Sequence, residues 1–591
     1  MSSIPIGIVA TLGPASDERK QIAALADAGV SIARLNASHG ETDDRATAIN
    51  HVRSVDAERD DTLAVMLDLP GPEIRTAPTD EPVHIETGTD LRLTTGDTVT
   101  ATEVGVSQSL ASVEPGDRIL LDDGRIETTV QRVEGETVVV TVDDGGELGS
   151  RKGVNIPRVD LGLDVITERD ERELDLAAEA GVDFVAASFV RDGDDVYRVV
   201  EALEARDAEI PVIAKIERAD AVENLDGIVE TADGVMVARG DLGVECPLET
   251  VPLIQKRIIR RCHAAGVPVI TATEMLDSMV TAGRPTRAEA TDVANAVLDG
   301  TDAVMLSGET AIGDHPIHVV ETMDRIVRDV TDSEEYAELR EQRVPDAGDS
   351  ATDALARSAR YLARDVRAST IVVASESGYT ARKVAKYRPE TPIVAVTPDD
   401  SVRRRLILNG NVTPLRVDLS GDGADAVIHD AIGAALDAGI AASGETVVAL
   451  AGMMNAISDV DTTNTLKIHT ATATLATGRV AVGGYDSGPV HRVTDDFDDV
   501  PDGAVAVLGV DFDSELDGEI PALAGIIDAR GGLTSDTAVL ARELGVPMLV
   551  ETTLPADVTD GTTVTVDAHR GVVYEGRVDR GHADLPAGAG Q

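Results

Sequence analysis

The first half of the chain repeats one pattern: a short run of consecutive apolar residues, a polar end, then an amphipathic stretch of helical period. The runs are Ile6 to Thr11, Ser31 to Ser38, Thr62 to Asp68, Phe184 to Val190, Ile210 to Glu217, Gly234 to Asp241, Val267 to Glu274 and Asp302 to Gly308. Near-continuous apolar strands suit a parallel sheet covered on both faces, and eight of them alternating with helices predict a (β/α)8 barrel. An open doubly wound sheet is the alternative, but no G-x-G-x-x-G follows the first strand.

Between the third and fourth runs the period changes to strict alternation, as in VHIETGTDLRLTT and TVVVTVDD, broken by Gly, Asp and Pro. That predicts a small inserted β domain over residues 76–157, placed as a lid, with the barrel formed by 1–75 and 158–345. From about residue 346 helices alternate with the strands STIVVAS, PIVAVTP and TVVALAG, an α/β domain over 346–475. A Gly-rich, β-leaning segment over 480–591 reads as a further domain.

Composition narrows the classes. The 591 residues carry 52 Lys and Arg against 106 Asp and Glu, a net charge of −54. Nucleic acid and anionic membranes both need basic patches, so neither is an expected partner. The acids are interspersed among periodic apolar residues, which argues for folded domains rather than disorder. An acidic, lysine-poor chain of 2% aromatic residues predicts adaptation to high intracellular salt, where self-repulsion is screened. No apolar run has the length of a bilayer span and the first residues lack a signal-peptide pattern, so the expectation is a soluble, unexported, cytoplasmic protein. Two cysteines, Cys246 and Cys262, exclude a disulfide framework.

The chemistry gathers at the predicted strand ends. Lys215 and Glu217 alternate to one side of their strand and Asp241 ends the next, so one ammonium and two carboxylates converge. Such a cluster holds a divalent cation beside a phosphoryl group, or is a buried ion pair. Arg34, Asn36 and Ser38 share a strand face beside Asp68; one carboxylate among neutral oxygens has the charge density for a monovalent cation, and Asn and Ser equally cap a following helix. Arg75, after the rigid turn that carries Glu73, is a phosphate clamp or part of a hinge. Lys152 stands beside a glycine where the insertion returns to the barrel, placed for a phosphate. Thr271 and Thr273 end the seventh run and are either core-facing or set to position a proton.

The motifs RLNASHG, DLPGPEIR, KGVNIP, IAKIE, MVARGDLGVE, TATEMLDSM, PTRAEATDVANAVLDGTDAVMLSGETAIG and SGYTARKVAKYRP resemble, in order over about Ile4 to Leu475, the pyruvate kinase family. The resemblance implies a TIM barrel with an inserted β lid and a C-terminal α/β effector domain. It implies transfer of a phosphoryl group from phosphoenolpyruvate to ADP, giving pyruvate and ATP. Lys215, Thr273 and Arg34 would be catalytic, with Gly240 and Asp241 binding substrate. Glu217 and Asp241 would hold Mg²⁺ or Mn²⁺, and Asn36, Ser38, Asp68 and the Leu69 carbonyl K⁺. Asn36, His39, Arg75 and Lys152 would serve the nucleotide. Glu73 matches K⁺-dependent members, and a homotetramer is the family's usual assembly. Three departures stand out: Leu69 and Pro70 replace the usual threonine and lysine, and Glu274 replaces a glutamine.

Ser375, Ser377, Gly378 and Thr380 resemble the family's sugar-phosphate effector loop, with Glu376 placing negative charge inside it. Weak or absent activation by fructose 1,6-bisphosphate is expected, which leaves room for another phosphorylated effector. The last domain resembles the swivelling phosphohistidine domain of enzymes that use phosphoenolpyruvate, an α/β unit. Its G-G-x-T-S-H motif here ends in Asp536, which removes the phosphohistidine chemistry. A metal-dependent lyase or aldolase of the phosphoenolpyruvate barrel type, and a salt-adapted metabolite sensor, are the competing readings.

Overall fold

A computed structural model describes residues 6–348, 350–419, 424–452, 463–472, 474–494, 497, 499–512 and 522–578. Residues 1–5, on which the reading of the N-terminus rests, and 579–591, the end of the predicted last domain, lie outside them.

Eight parallel strands close into a barrel: β1 (Gly7–Leu12), β2 (Ile32–Asn36), β3 (Ala64–Asp68), β4 (Phe184–Ala187), β5 (Val212–Ile216), β6 (Gly234–Ala238), β7 (Val269–Ala272) and β8 (Ala303–Leu306). Every residue of β3, β5 and β6 is buried, because one face lines the barrel and the other packs under helices. Val9, Ile32, Met66, Ile213, Met236, Ile270 and Met305 belong to the interior cluster. Register carries the polar ends to one rim: Asn36 pairs with Asp68, and Ala186 with Asp68 from the other side.

The strands are shorter than the apolar runs predict. β6 ends at Ala238, and Asp241 lies in the first turn of a short helix, Arg239–Glu245, rather than at a strand end. Beyond Ala238 the chain turns polar, and the Gly240 amide bonds the Thr273 side chain instead of a neighbouring strand. Ser38 and Thr273 likewise follow their strands instead of belonging to them.

The insertion between β3 and β4 forms a six-stranded sheet and a two-stranded one around its own apolar core. The segment that follows it is held in place by Arg191 on Asp160 at 2.9 Å and by Arg218 Nη2 donating to Val159 O at 3.3 Å. The next unit has four parallel strands and one antiparallel strand, Thr463–Thr470, with helices that include Ala351–Asp365, Tyr379–Lys386 and Asp400–Leu406. The C-terminal unit is built on an eight-stranded sheet with the helix Asp536–Leu544, capped by Ser535. Among the described residues no helix is long and apolar enough to cross a membrane.

The α/β unit seals the barrel at the end opposite the polar rim. Arg403 Nη2 meets Asp56 at 2.7 Å, and Arg404 Nε meets Asp183 at 2.8 Å. Asp183 also accepts the Val65 amide at 2.7 Å and Arg53 at 2.7 Å. Between these pairs Leu408, 1% exposed, joins the barrel's interior cluster. Leu408→Ala removes that plug and leaves a cavity, so urea unfolding should show a loss of about 3 kcal/mol; an unchanged midpoint would mean that the barrel closes without it.

Candidate active site

Four charged side chains meet at the C-terminal rim. Arg34 Nε lies 2.6 Å from Asp68 Oδ2, Lys215 Nζ 3.2 Å from Asp68 Oδ1, and Lys215 Nζ 2.8 Å from Glu217 Oε1. All four are buried. A buried charge is tolerated only when it is paired and hydrogen-bonded, and each one here is. Arg34 Nη1 donates to Thr11 Oγ1 at 2.8 Å, which in turn donates to Leu306 O at 2.9 Å. Lys215 Nζ donates to Ser188 Oγ at 2.7 Å, and Ser188 donates to Leu69 O at 2.6 Å. The Phe189 amide donates to Glu217 Oε2 at 2.7 Å.

The two carboxylates diverge. Burial works against the charged form of Asp68, yet Arg34 and Lys215 outweigh it and hold its pKa below the usual value. Burial pushes Glu217 up to about 7, with Lys215 opposing and Asp241 adding to the push. Asp241 is also raised, first by burial and then, against Lys215, by Asp123 and Glu73. Burial opposes the Lys215 ammonium as well, but Asp68 and Glu217 outweigh it and raise its pKa. The result is a cation held in its charged state beside two carboxylates whose charged forms burial disfavours.

That imbalance fits a divalent cation at Glu217 and Asp241. Among the described residues no group of three or more His, Cys, Asp or Glu side chains could hold a metal alone. A pair of carboxylates supplemented by substrate oxygens is the usual arrangement for Mg²⁺. The Asn36, Ser38, Asp68 and Leu69 oxygens differ in kind. Asn36 Oδ1 accepts the Ser38 amide at 3.1 Å, and the charge of Asp68 is already opposed by Arg34 and Lys215. Neutral oxygens around one largely compensated carboxylate suit a monovalent ion rather than a divalent one.

Thr273 and Gly240 are bonded to each other. Thr273 Oγ1 accepts the Gly240 amide at 2.7 Å and donates to Ala272 O at 2.8 Å. Glu274 is exposed.

The nucleotide candidates divide between barrel and insertion. Arg75 donates to Glu73 Oε2 from Nε at 3.0 Å and Nη2 at 2.8 Å, and to Arg151 O from Nη1 at 2.9 Å. Lys152 pairs with Asp122 at 2.9 Å. Burial lowers the His39 pKa, with Arg75, Arg169 and Arg34 adding to the effect, so its imidazole is kept neutral. A cavity between insertion and barrel is lined by Glu73, Asp123, Gly153, Asp241 and Glu245.

The loop Ser375 to Thr380 lies apart from this rim, between the strand Thr370–Ala374 and the helix Tyr379–Lys386. Gly378 has φ +76°, Ser375 and Thr380 are buried, and Glu376 is exposed. Asp536 opens its helix in the C-terminal unit.

Sequence reasoning missed Thr11, Ser188 and the Phe189 amide. Thr11 and Ser188 stand at strand ends like the residues it found, and that position was the available signal. Phe189 has φ +57°, a local geometry that no sequence pattern announces.

Models of known families match in three places: pyruvate kinase barrel domain over residues 5–320, pyruvate kinase alpha/beta domain over 353–469, and the mobile domain of PEP-utilising enzymes over 501–571. The chain is 40% identical to a pyruvate kinase of Geobacillus stearothermophilus, over 98% of this chain and 99% of that one. It is 39% identical to one of Bacillus licheniformis, over 96% and 98%. A crystal structure of a pyruvate kinase from Cryptosporidium parvum superposes with a TM-score of 0.73 at 35% identity, covering 79% of this chain and 96% of that one. By barrel, rim and full-length likeness alike, the chain belongs to the pyruvate kinase family.

Proposed function

We propose that this chain transfers the phosphoryl group of phosphoenolpyruvate to ADP, releasing pyruvate and ATP, with Mg²⁺ (or Mn²⁺) and K⁺ as its cations. The observation that carries the reading is Lys215, buried, kept protonated by Asp68 and Glu217, and seated at the barrel mouth within reach of a ligand on Glu217 and Asp241. Lys215 and Arg34 neutralise the phosphoryl group while the bond from its phosphorus to the enol oxygen breaks and one to the ADP β-phosphate forms. Gly240, Asp241 and Thr273 orient the carboxylate. The remaining enolate takes a proton at its terminal carbon by way of Thr273 and water, which traps the product as pyruvate.

Asn36, His39, Arg75 and Lys152 serve the ADP phosphates, with Lys152 and its Asp122 partner carried by the insertion acting as lid. A divalent ion at Glu217 and Asp241 would supply Lewis-acid charge neutralisation, and K⁺ at Asn36, Ser38, Asp68 and Leu69 a second fixed positive charge. The reading includes the domain division 1–75 with 158–345, 76–157, 346–475 and 480–591, a cytoplasmic homotetramer, and adaptation to high salt. Ser375, Ser377, Gly378 and Thr380 form an effector loop for a phosphorylated ligand. The C-terminal unit, with Asp536 where its family carries histidine, serves structure or assembly.

A coupled assay for ADP-dependent pyruvate formation tests the core of this reading. Lys215→Met should lower kcat at least about a hundredfold, the scale of one lost charge-stabilising donor. Turnover without ADP would instead favour a lyase. Exchanging KCl for an organic cation at constant ionic strength should abolish most of the activity, and full activity without K⁺ would remove the monovalent site. Fructose 1,6-bisphosphate should shift the phosphoenolpyruvate saturation curve weakly or not at all, whereas a strong sigmoidal-to-hyperbolic shift would show that Glu376 does not exclude it.

A further inference from the structure

Thr273 and Glu274 are consecutive non-glycine residues in the left-handed region, at φ +68° and +54°. A β-branched residue reaches that conformation only where its surroundings impose it. The adjacent turn of the short helix does so from two sides. The Gly240 amide holds the Thr273 hydroxyl, as described above, and Arg239 holds the Thr273 backbone. Arg239 Nη2 donates to Thr273 O at 2.9 Å and Nε to Ala272 O at 3.1 Å. The guanidinium is itself clamped: Nη1 meets Asp292 Oδ1 at 2.7 Å and Nη2 meets Asp292 Oδ2 at 2.7 Å.

Asp292 lies on the helix Arg287–Asp299, which begins with a capping box at Thr286. A rigid helix, one carboxylate and one planar fork therefore connect in series to the peptide that carries Thr273. Two successive carbonyls and a bidentate carboxylate need the fixed donors of a guanidinium. A lysine ammonium has neither the reach nor the geometry to serve all three.

We infer that Arg239 is a positioning residue of this enzyme. Together with Asp292 it imposes the left-handed backbone at Thr273 and so sets where the Thr273 hydroxyl meets the substrate carboxylate and the proton route. Nothing in the motif MVARGDLGVE separates this duty from an ordinary surface arginine; it appears only from the paired contacts. The inference rests on the reading of Thr273 under Proposed function.

Two thermodynamic cycles test it on the full-length protein. In the first, Arg239→Lys is made alone and with Thr273→Ala. Alone it should lower kcat about a hundredfold, as expected for a reacting group displaced by roughly 1 Å, and raise KM for phosphoenolpyruvate while KM for ADP stays within about twofold. With Thr273→Ala already present it should cost less than about threefold, because residues acting as one unit are not additive. The second cycle reads urea midpoints and needs no activity. Thr273→Gly, which adopts positive φ without strain, should recover at least half of the midpoint lost through Arg239→Lys.

Asp292→Asn should move both readouts in the same direction by less. Additive losses in either cycle, or KM for ADP rising in step with KM for phosphoenolpyruvate, would overturn the inference and leave Arg239 as general support for the fold. A wild-type enzyme that forms no pyruvate would sink the functional reading alone, since the urea cycle still decides whether Arg239 governs the Thr273 backbone.

Discussion

Four buried charges constrain everything around them. Arg34, Asp68, Lys215 and Glu217 are taken out of water together, and the set is tolerable because two cations and two anions alternate at contact distance. Removing any one leaves a neighbour uncompensated in a low-dielectric setting. The backbone is correspondingly specific there: Thr11 and Ser188 bring hydroxyls to the cations, and Phe189 turns its amide to Glu217. The closed barrel is what makes such a cluster affordable, since strand register alone brings β2, β3 and β4 to one level with Asp68 at the centre.

The cluster is also asymmetric. Asp68 has a cation on each oxygen and is held in its charged state; Glu217 and Asp241 are pushed toward protonation, chiefly by burial. One part of the rim is thus electrostatically complete, and the other is short of positive charge. A site that must accept and release a charged ligand needs such a division.

Much of this was readable before the fold was known. The eight apolar runs, the change to strict alternation at the insertion, and the polar residues at strand ends follow from side-chain periodicity alone. Lys215 and Glu217 converge as alternation requires. Asp241 was placed with the right neighbours for a partly wrong reason: it sits on a helix turn, not on a strand, because the chain leaves the sheet once its side chains turn polar. Ser188 and Thr11 were legible in principle and were passed over, since one hydroxyl at a strand end means little until a cation is seen beside it. The left-handed backbone at Phe189, Thr273 and Glu274 left no trace in the sequence, because tertiary contacts impose it against local preference.

The plug formed by Leu408 bears on the order in which the molecule can be made. β8 ends at Leu306, yet the interior cluster of the barrel includes a side chain from the following unit. When the eighth strand leaves the ribosome, the floor of the barrel still opens to water, and Asp56 and Asp183 still lack Arg403 and Arg404. The nascent barrel therefore reaches its final packing only after the strands Thr370–Ala374 and Ile393–Thr397 and the helix Asp400–Leu406 have been synthesised. Vectorial synthesis thus delivers the last contacts of the barrel's interior cluster only with the second unit.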